Sequence, residues 1–195
     1  MTPERAHAWR IAVWILIASE ALLFAGLFAL YAGYRAEYAG AFARSASHSV
    51  QWMGGVNTMI LIASSFAIAW AVLEARRGHE RVVARWLGAA VALGVAFIVI
   101  KLAEWHVHIG EGIVAGAGGH GPNEGRGTQL FFTLYYLMTG LHLIHLAIAI
   151  ALVGWLIARG ARHLLALELV AVYWNFVDLI WMFLWPMFYL LRGDA

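Results

Sequence analysis

Five long apolar runs divide this chain, at residues 9–34, 52–74, 83–108, 128–158 and 164–191, and the stretches between them collect glycine, serine and charge. At 1.5 Å rise per residue, about 20 apolar residues cross the hydrocarbon layer, so each run is long enough to be a membrane span. Backbone polar groups in lipid must bond within their own segment, which selects helices. The pattern therefore predicts an all-α, polytopic membrane protein: a five-helix bundle forming a single membrane domain over residues 1–195, with no internal repeat and no soluble domain. The first run is of span length and has no small-residue cleavage pattern, so it reads as a retained helix rather than a leader.

The polar positions inside those runs carry the remaining information. Glu20 lies ten residues in from Arg10, about 15 Å deep and close to mid-membrane. A charge at that depth costs at least ~2.5 kcal/mol, so Glu20 is neutral, partnered from another helix, or turned toward protein. The fourth run places Tyr135, Thr139 and His142 at i, i+4, i+7, with His145 three residues further. The fifth places Glu168, Asn175 and Asp178 within about 80° on one face. Glu20, His142 and Asp178 share a depth, and a mutual cluster would lower the cost of all three. The plain reading is a hydrogen-bonded cluster that fixes helix packing; the sharper one is proton handling. Lys101 and Glu104, at i, i+3, read as an ion pair near the membrane surface, and His106, His108 and His120 as solvated.

The connections add orientation. Residues 35–51 read as an interfacial loop, and residues 110–127 are too rich in glycine for a helix. Five spans put the termini on opposite sides. Arg5, Arg10, Arg76, Arg77, Arg81, Arg85, Arg159 and Arg162 then fall on one side, and Arg35, Arg44, Arg126 and Arg192 on the other. That bias, about two to one, places the N-terminus in the cytoplasm and the C-terminus outside.

Composition narrows the chemistry. Hydrophobic residues make up 63% of the chain and charged residues 12%, outside the range of soluble enzymes. The absence of cysteine excludes disulfides, thiolate metal sites and thiol nucleophiles. A net charge of +2, with its basic residues beside spans, gives no nucleic-acid surface. Nine histidines raise the alternative of a b-type cytochrome or quinol-binding anchor. Bis-histidine haem, however, needs ligands on different helices at matched depth, whereas His142 and His145 share one helix. The ten tryptophans read as interface anchors and packing surface.

Five separated motifs, in order, resemble subunit III of the haem-copper terminal oxidases: SEALLFAGLFALY from Ser19, NTMILIASSF from Asn57, KLAEW from Lys101, TGLHLIH from Thr139 and ELVAVYWNFVDLIWMFLWPMFYL from Glu168. The resemblance is to the five-helix form, and Lys101 and Pro186 are also similar to the subunit III-like accessory protein of nitric oxide reductases. It implies a non-catalytic subunit with no haem, copper or other cofactor of its own. Haem and copper would lie in subunit I, the main partner, with subunits II and IV as further neighbours. Bound phospholipid, support of proton uptake during oxygen reduction, and a place in the bacterial cytoplasmic membrane are also implied. By the same resemblance Glu20 is the family's carbodiimide-reactive carboxylate and His142 the histidine that faces it. Asn175 stands where the family usually has histidine, and it cannot be protonated.

Overall fold

Pro3 and Pro122 fall outside the apolar runs and Pro186 lies near the end of the fifth, so the run interiors can continue as helix. The computed structural model describes residues 2–47, 51–113, 125–160 and 164–190. Its elements are α1 (Pro3–Glu37), α2 (Ala39–Ser47), α3 (Gln51–Arg76), α4 (Glu80–Gly110), α5 (Arg126–Ala158) and α6 (Leu164–Trp185), and α6 runs on as a π turn over Pro186–Leu190. Five of these are long and apolar enough to cross a membrane, and every element among the described residues is helical. His120, Arg162 and Arg192 lie outside the described residues, as does the end of the fifth run at Leu191.

α3 and α4 form the most closely packed hairpin, turning at Gly78, whose φ of 80° suits a residue without a Cβ. Glu74 closes this turn: one carboxylate oxygen accepts from Arg77 Nη1 at 2.8 Å and the other faces His79 Nδ1 at 2.7 Å. α6 packs between α3 and α5, and its buried Trp174, Val177, Trp181 and Leu184 supply the centre of the core. α1 is peripheral. Its buried residues are Ile17, Phe24 and Tyr31, seven apart, which make one seam against α5 and α6. The rest of its apolar surface faces outward.

The connection read as an interfacial loop contains the helix α2. Phe42 inserts between Tyr31 and Phe131, with ring centroids 5.3 and 5.4 Å away, and burial of that ring is what holds so short a helix. Gly127, at the start of α5, makes the approach possible. A Cβ there would stand 2.7 Å from Ala41 Cβ and 2.8 Å from Tyr38 Cβ, neither of which can rotate away. Gly127→Ala is therefore expected to displace α2 and cost about 1–3 kcal/mol, read as a lower melting temperature in detergent. Gly154→Ala in the same helix meets nothing within 4 Å and should not destabilise. Equal loss from both would disprove the steric account.

Pro186 donates no backbone hydrogen bond and begins the wider π turn. Tyr31 Oη donates to the Met187 carbonyl at 2.7 Å, tying this turn to α1.

Candidate functional site

Among the described residues the intramembrane polar side chains form three separate nests, and none is the mutual cluster of Glu20, His142 and Asp178 expected from depth. The first joins α1 to α5. Glu20 Oε2 lies 2.9 Å from His145 Nε2, and His145 Nδ1 lies 2.7 Å from the Leu141 carbonyl of its own helix. A carbonyl only accepts, so Nδ1 carries a proton, and one further proton is shared between Nε2 and the Glu20 carboxyl. The Glu20 and His145 side chains are 22% and 12% exposed, so the pair opens onto the surface of the chain, with Phe24 edge-on to the imidazole at 5.6 Å.

His142, the partner expected for Glu20, points elsewhere. It is buried beside Phe97 and Trp181, ring centroids 5.5 and 5.2 Å away, and has no hydrogen-bond partner among the described residues. Three residues rotate the side chain by about 60° around the helix axis, enough to pass from one neighbouring helix to another.

Asp178 forms the second nest, with α3. Its Oδ2 accepts from Ser65 Oγ at 2.5 Å and Ser64 Oγ at 3.1 Å, and Trp174 Nε1 donates to Ser64 Oγ at 3.1 Å. The two serines of the NTMILIASSF motif thus serve as donors to a carboxyl within the bundle. Asn175, about 60° round α6 from Asp178, does not join them and is exposed. Glu168 is also apart, accepting from Arg76 Nη2 at 2.8 Å at the end of the bundle.

The third nest contains the expected Lys101–Glu104 ion pair and encloses it in protein. Both are wholly buried, at 0% and 1% exposure. Lys101 Nζ donates to Tyr135 Oη at 2.7 Å, Tyr189 Oη at 2.6 Å and Glu104 Oε2 at 3.2 Å, which uses all three ammonium protons. Both tyrosines donate to Glu104 Oε1, at 2.7 and 2.5 Å. The loop is closed and carries no net charge, and the rings of Tyr135, Tyr189 and Trp181 surround the ammonium at 4.5, 5.2 and 5.4 Å. His108, expected to be solvated, is buried with its ring 5.7 Å from that of Tyr135, whereas His106 is exposed. Thr139, also buried, donates to the Tyr135 carbonyl within α5.

Sequence reasoning did not assign Tyr189, Ser64, Ser65 or Trp174 to any site. Tyr189 could have been found from Lys101, because a buried ammonium needs three acceptors and the i, i+3 carboxylate supplies one. Among the described residues no three His, Asp or Glu side chains converge as metal ligands.

Comparison with known proteins gives this arrangement a context. Residues 2–192 match the family described as cytochrome c oxidase subunit III. The cytochrome c oxidase subunit 3 of Thermostichus vulcanus is 29% identical over 184 residues, covering 91% of this chain and 84% of that protein. The cytochrome bo(3) ubiquinol oxidase subunit 3 of Pseudomonas aeruginosa is 28% identical over 184 residues, covering 91% and 82%. The heme-copper oxidase subunit I+III of Aeropyrum pernix is 26% identical over 194 residues, covering 93% of this chain and 22% of that longer protein.

Proposed function

Because the chain belongs to the cytochrome c oxidase subunit III family, we propose that it is the non-catalytic membrane subunit III of a respiratory haem-copper terminal oxidase. The observation that carries this is a match that runs the length of the chain and includes Glu20, whose shared proton lies at mid-membrane depth and on the surface. Haem and copper belong to subunit I, and this chain supports subunit I, binds phospholipid and sustains proton uptake during oxygen reduction. The fused Aeropyrum relative favours subunit I as the main neighbour, with subunits II and IV as further ones. The argument for lipid is an open groove of about 910 Å³ between α3 and α6, lined by apolar side chains including Trp52, Val56, Met59, Ile62 and Met182. We place the protein in the bacterial cytoplasmic membrane with its N-terminus inside, on the distribution of arginine.

In this reading the Glu20–His145 pair is a proton-holding site. The shared proton rests on Nε2 as an ion pair or on the carboxyl as a neutral pair, so it moves between the two groups without either form carrying a net charge. Copurification from native membranes tests the assignment. Subunit I should accompany this chain, and recovery of this chain alone as a stable, monodisperse bundle would defeat it.

A hydrophobic carbodiimide, which needs a protonated carboxyl in an apolar setting, is expected to label Glu20 in preference to Glu80 at the end of α4. His145→Phe should raise the labelling rate, because the imidazole no longer occupies the carboxyl oxygen, whereas His142→Phe should leave the rate unchanged. Equal effects from the two histidine variants would show that Glu20 has a different partner. Glu20→Gln keeps a donor and the shape, so the complex should assemble and its oxidase turnover fall modestly. Complete loss of turnover in an assembled complex would make Glu20 an obligatory step and contradict the supporting role.

A further inference from the structure

α6 packs against α1, α3 and α5 and is the most buried of the spans, yet one stripe of it is bare. Val172, Leu179 and Met182 are 37%, 52% and 44% exposed, Asn175 is exposed with them, and every residue between these four is buried or half-buried. They follow one another at intervals of 3, 4 and 3 residues, the alternation that keeps a seam on one side of a helix. The stripe is bordered by α1, where Phe28 meets Phe183 with ring centroids 6.0 Å apart, and by α3, whose Met59 and Ile62 share a groove wall with Met182.

Three of the four side chains are apolar, as a surface within the membrane requires. Asn175 is not. It lies eleven residues from Leu164 in a span of 27, about 16 Å deep and close to mid-membrane. Its carboxamide makes no hydrogen bond among the described residues. An amide left unbonded in hydrocarbon is costly, and neither headgroups nor bulk water reach that depth. The stripe therefore calls for an occupant that brings a hydrogen-bonding group to the middle of the membrane.

We propose that the stripe is a contact between two copies of this chain, related by a twofold axis along the membrane normal, with the two Asn175 side chains against each other at its centre. A carboxamide is its own complement: its N–H donates and its carbonyl accepts, so two copies bond reciprocally. Copies inserted in the same orientation bring their Asn175 residues to one depth with no further condition, whereas a different protein would have to supply a polar group there. Acyl chains supply none. Val172, Leu179 and Met182 then form the apolar part of the seam, and the single polar position fixes its register. The contact uses neither the Glu20–His145 pair nor the buried nests, and it does not depend on which other subunits surround the chain.

The chain contains no cysteine, so an introduced thiol reports its own contacts. In native membranes treated with a membrane-permeant copper–phenanthroline oxidant, Val172→Cys and Leu179→Cys should each give a disulfide-linked dimer of this chain. Val99→Cys, 59% exposed on α4, should not. Leu179→Cys/Asn175→Leu should give about tenfold less dimer, the factor that reciprocal interhelical amide bonds carry, whereas Leu179→Cys/Asn175→Gln should keep most of it. Asn175→Leu puts an apolar side chain at an exposed intramembrane position, so insertion is not impaired, and the subunits that copurify should be unchanged. No dimer from Leu179→Cys, a dimer insensitive to Asn175→Leu, or an equal dimer from Val99→Cys overturns the proposal. So does a crosslink from Leu179→Cys to a different subunit, or the loss of a copurifying subunit from Asn175→Leu, either of which would make the stripe the seat of that subunit instead.

Discussion

Lys101→Met is expected to be among the most damaging single substitutions in this protein, although it exchanges one long unbranched side chain for another. It removes the only cation from a nest whose other members are a fully buried carboxylate and two tyrosine hydroxyls. Breaking one side of a buried ion pair leaves an uncompensated charge and costs about 3–5 kcal/mol. Lys101→Met/Glu104→Leu should be less damaging than Lys101→Met alone, because the double change removes the buried charge with its partner. Tyr135→Phe and Tyr189→Phe, each deleting one hydroxyl, should cost about 1–3 kcal/mol. Melting of the detergent-solubilised protein, followed by size exclusion, would rank these variants. A Lys101→Met shift no larger than that of the exposed Arg5→Gln would show that the nest contributes nothing to stability.

Trp181→Ala is expected to have an effect of similar size by a different route. The indole meets Phe97 edge-on at 4.7 Å, lies against His142 at 5.2 Å and Tyr189 at 6.5 Å, and faces the Lys101 ammonium. Its Nε1 donates to Thr58 Oγ1 at 3.1 Å. Truncation leaves a cavity where α3, α4, α5 and the π turn converge, and large-to-small changes of this kind cost about 3–5 kcal/mol. Trp181→Phe keeps most of the packing and loses the N–H bond, for about 1 kcal/mol. The two variants should therefore differ clearly in melting temperature. If they melt together, the hydrogen bond to Thr58 rather than the ring volume is what matters.

The existence and extent of the spans could be read from the chain because length and hydropathy are one-dimensional properties. The predicted 52–74, 83–108 and 128–158 lie within α3, α4 and α5, each short of the helix by no more than three residues at either end. Which side of each helix faces which neighbour could not be read. Helices apolar nearly all round carry no stripe to orient them, and so His142 was preferred to His145 as the partner of Glu20. Burial along the chain was misjudged for the same reason. Lys101, Glu104 and His108 lie toward the end of their run, where the pair was placed near the membrane surface and the histidine read as solvated, yet α5 and the π turn close over them. α2 was missed because nine residues centred on one phenylalanine become a helix only when Tyr31 and Phe131 are there to receive it.

The π turn has a consequence for how this sequence can change length. An α-helix advances about 100° per residue, and the wider winding over Pro186–Leu190 helps set the direction in which Tyr189 leaves the backbone. Deleting one residue between Pro186 and Tyr189 would restore ordinary winding and swing the phenol by roughly that angle away from Lys101. The segment should therefore accept substitutions more readily than a change in residue count. A homologue with a single-residue gap there would retain the lysine, the glutamate and both tyrosines in its sequence, and would still lose the hydrogen bonds that join them.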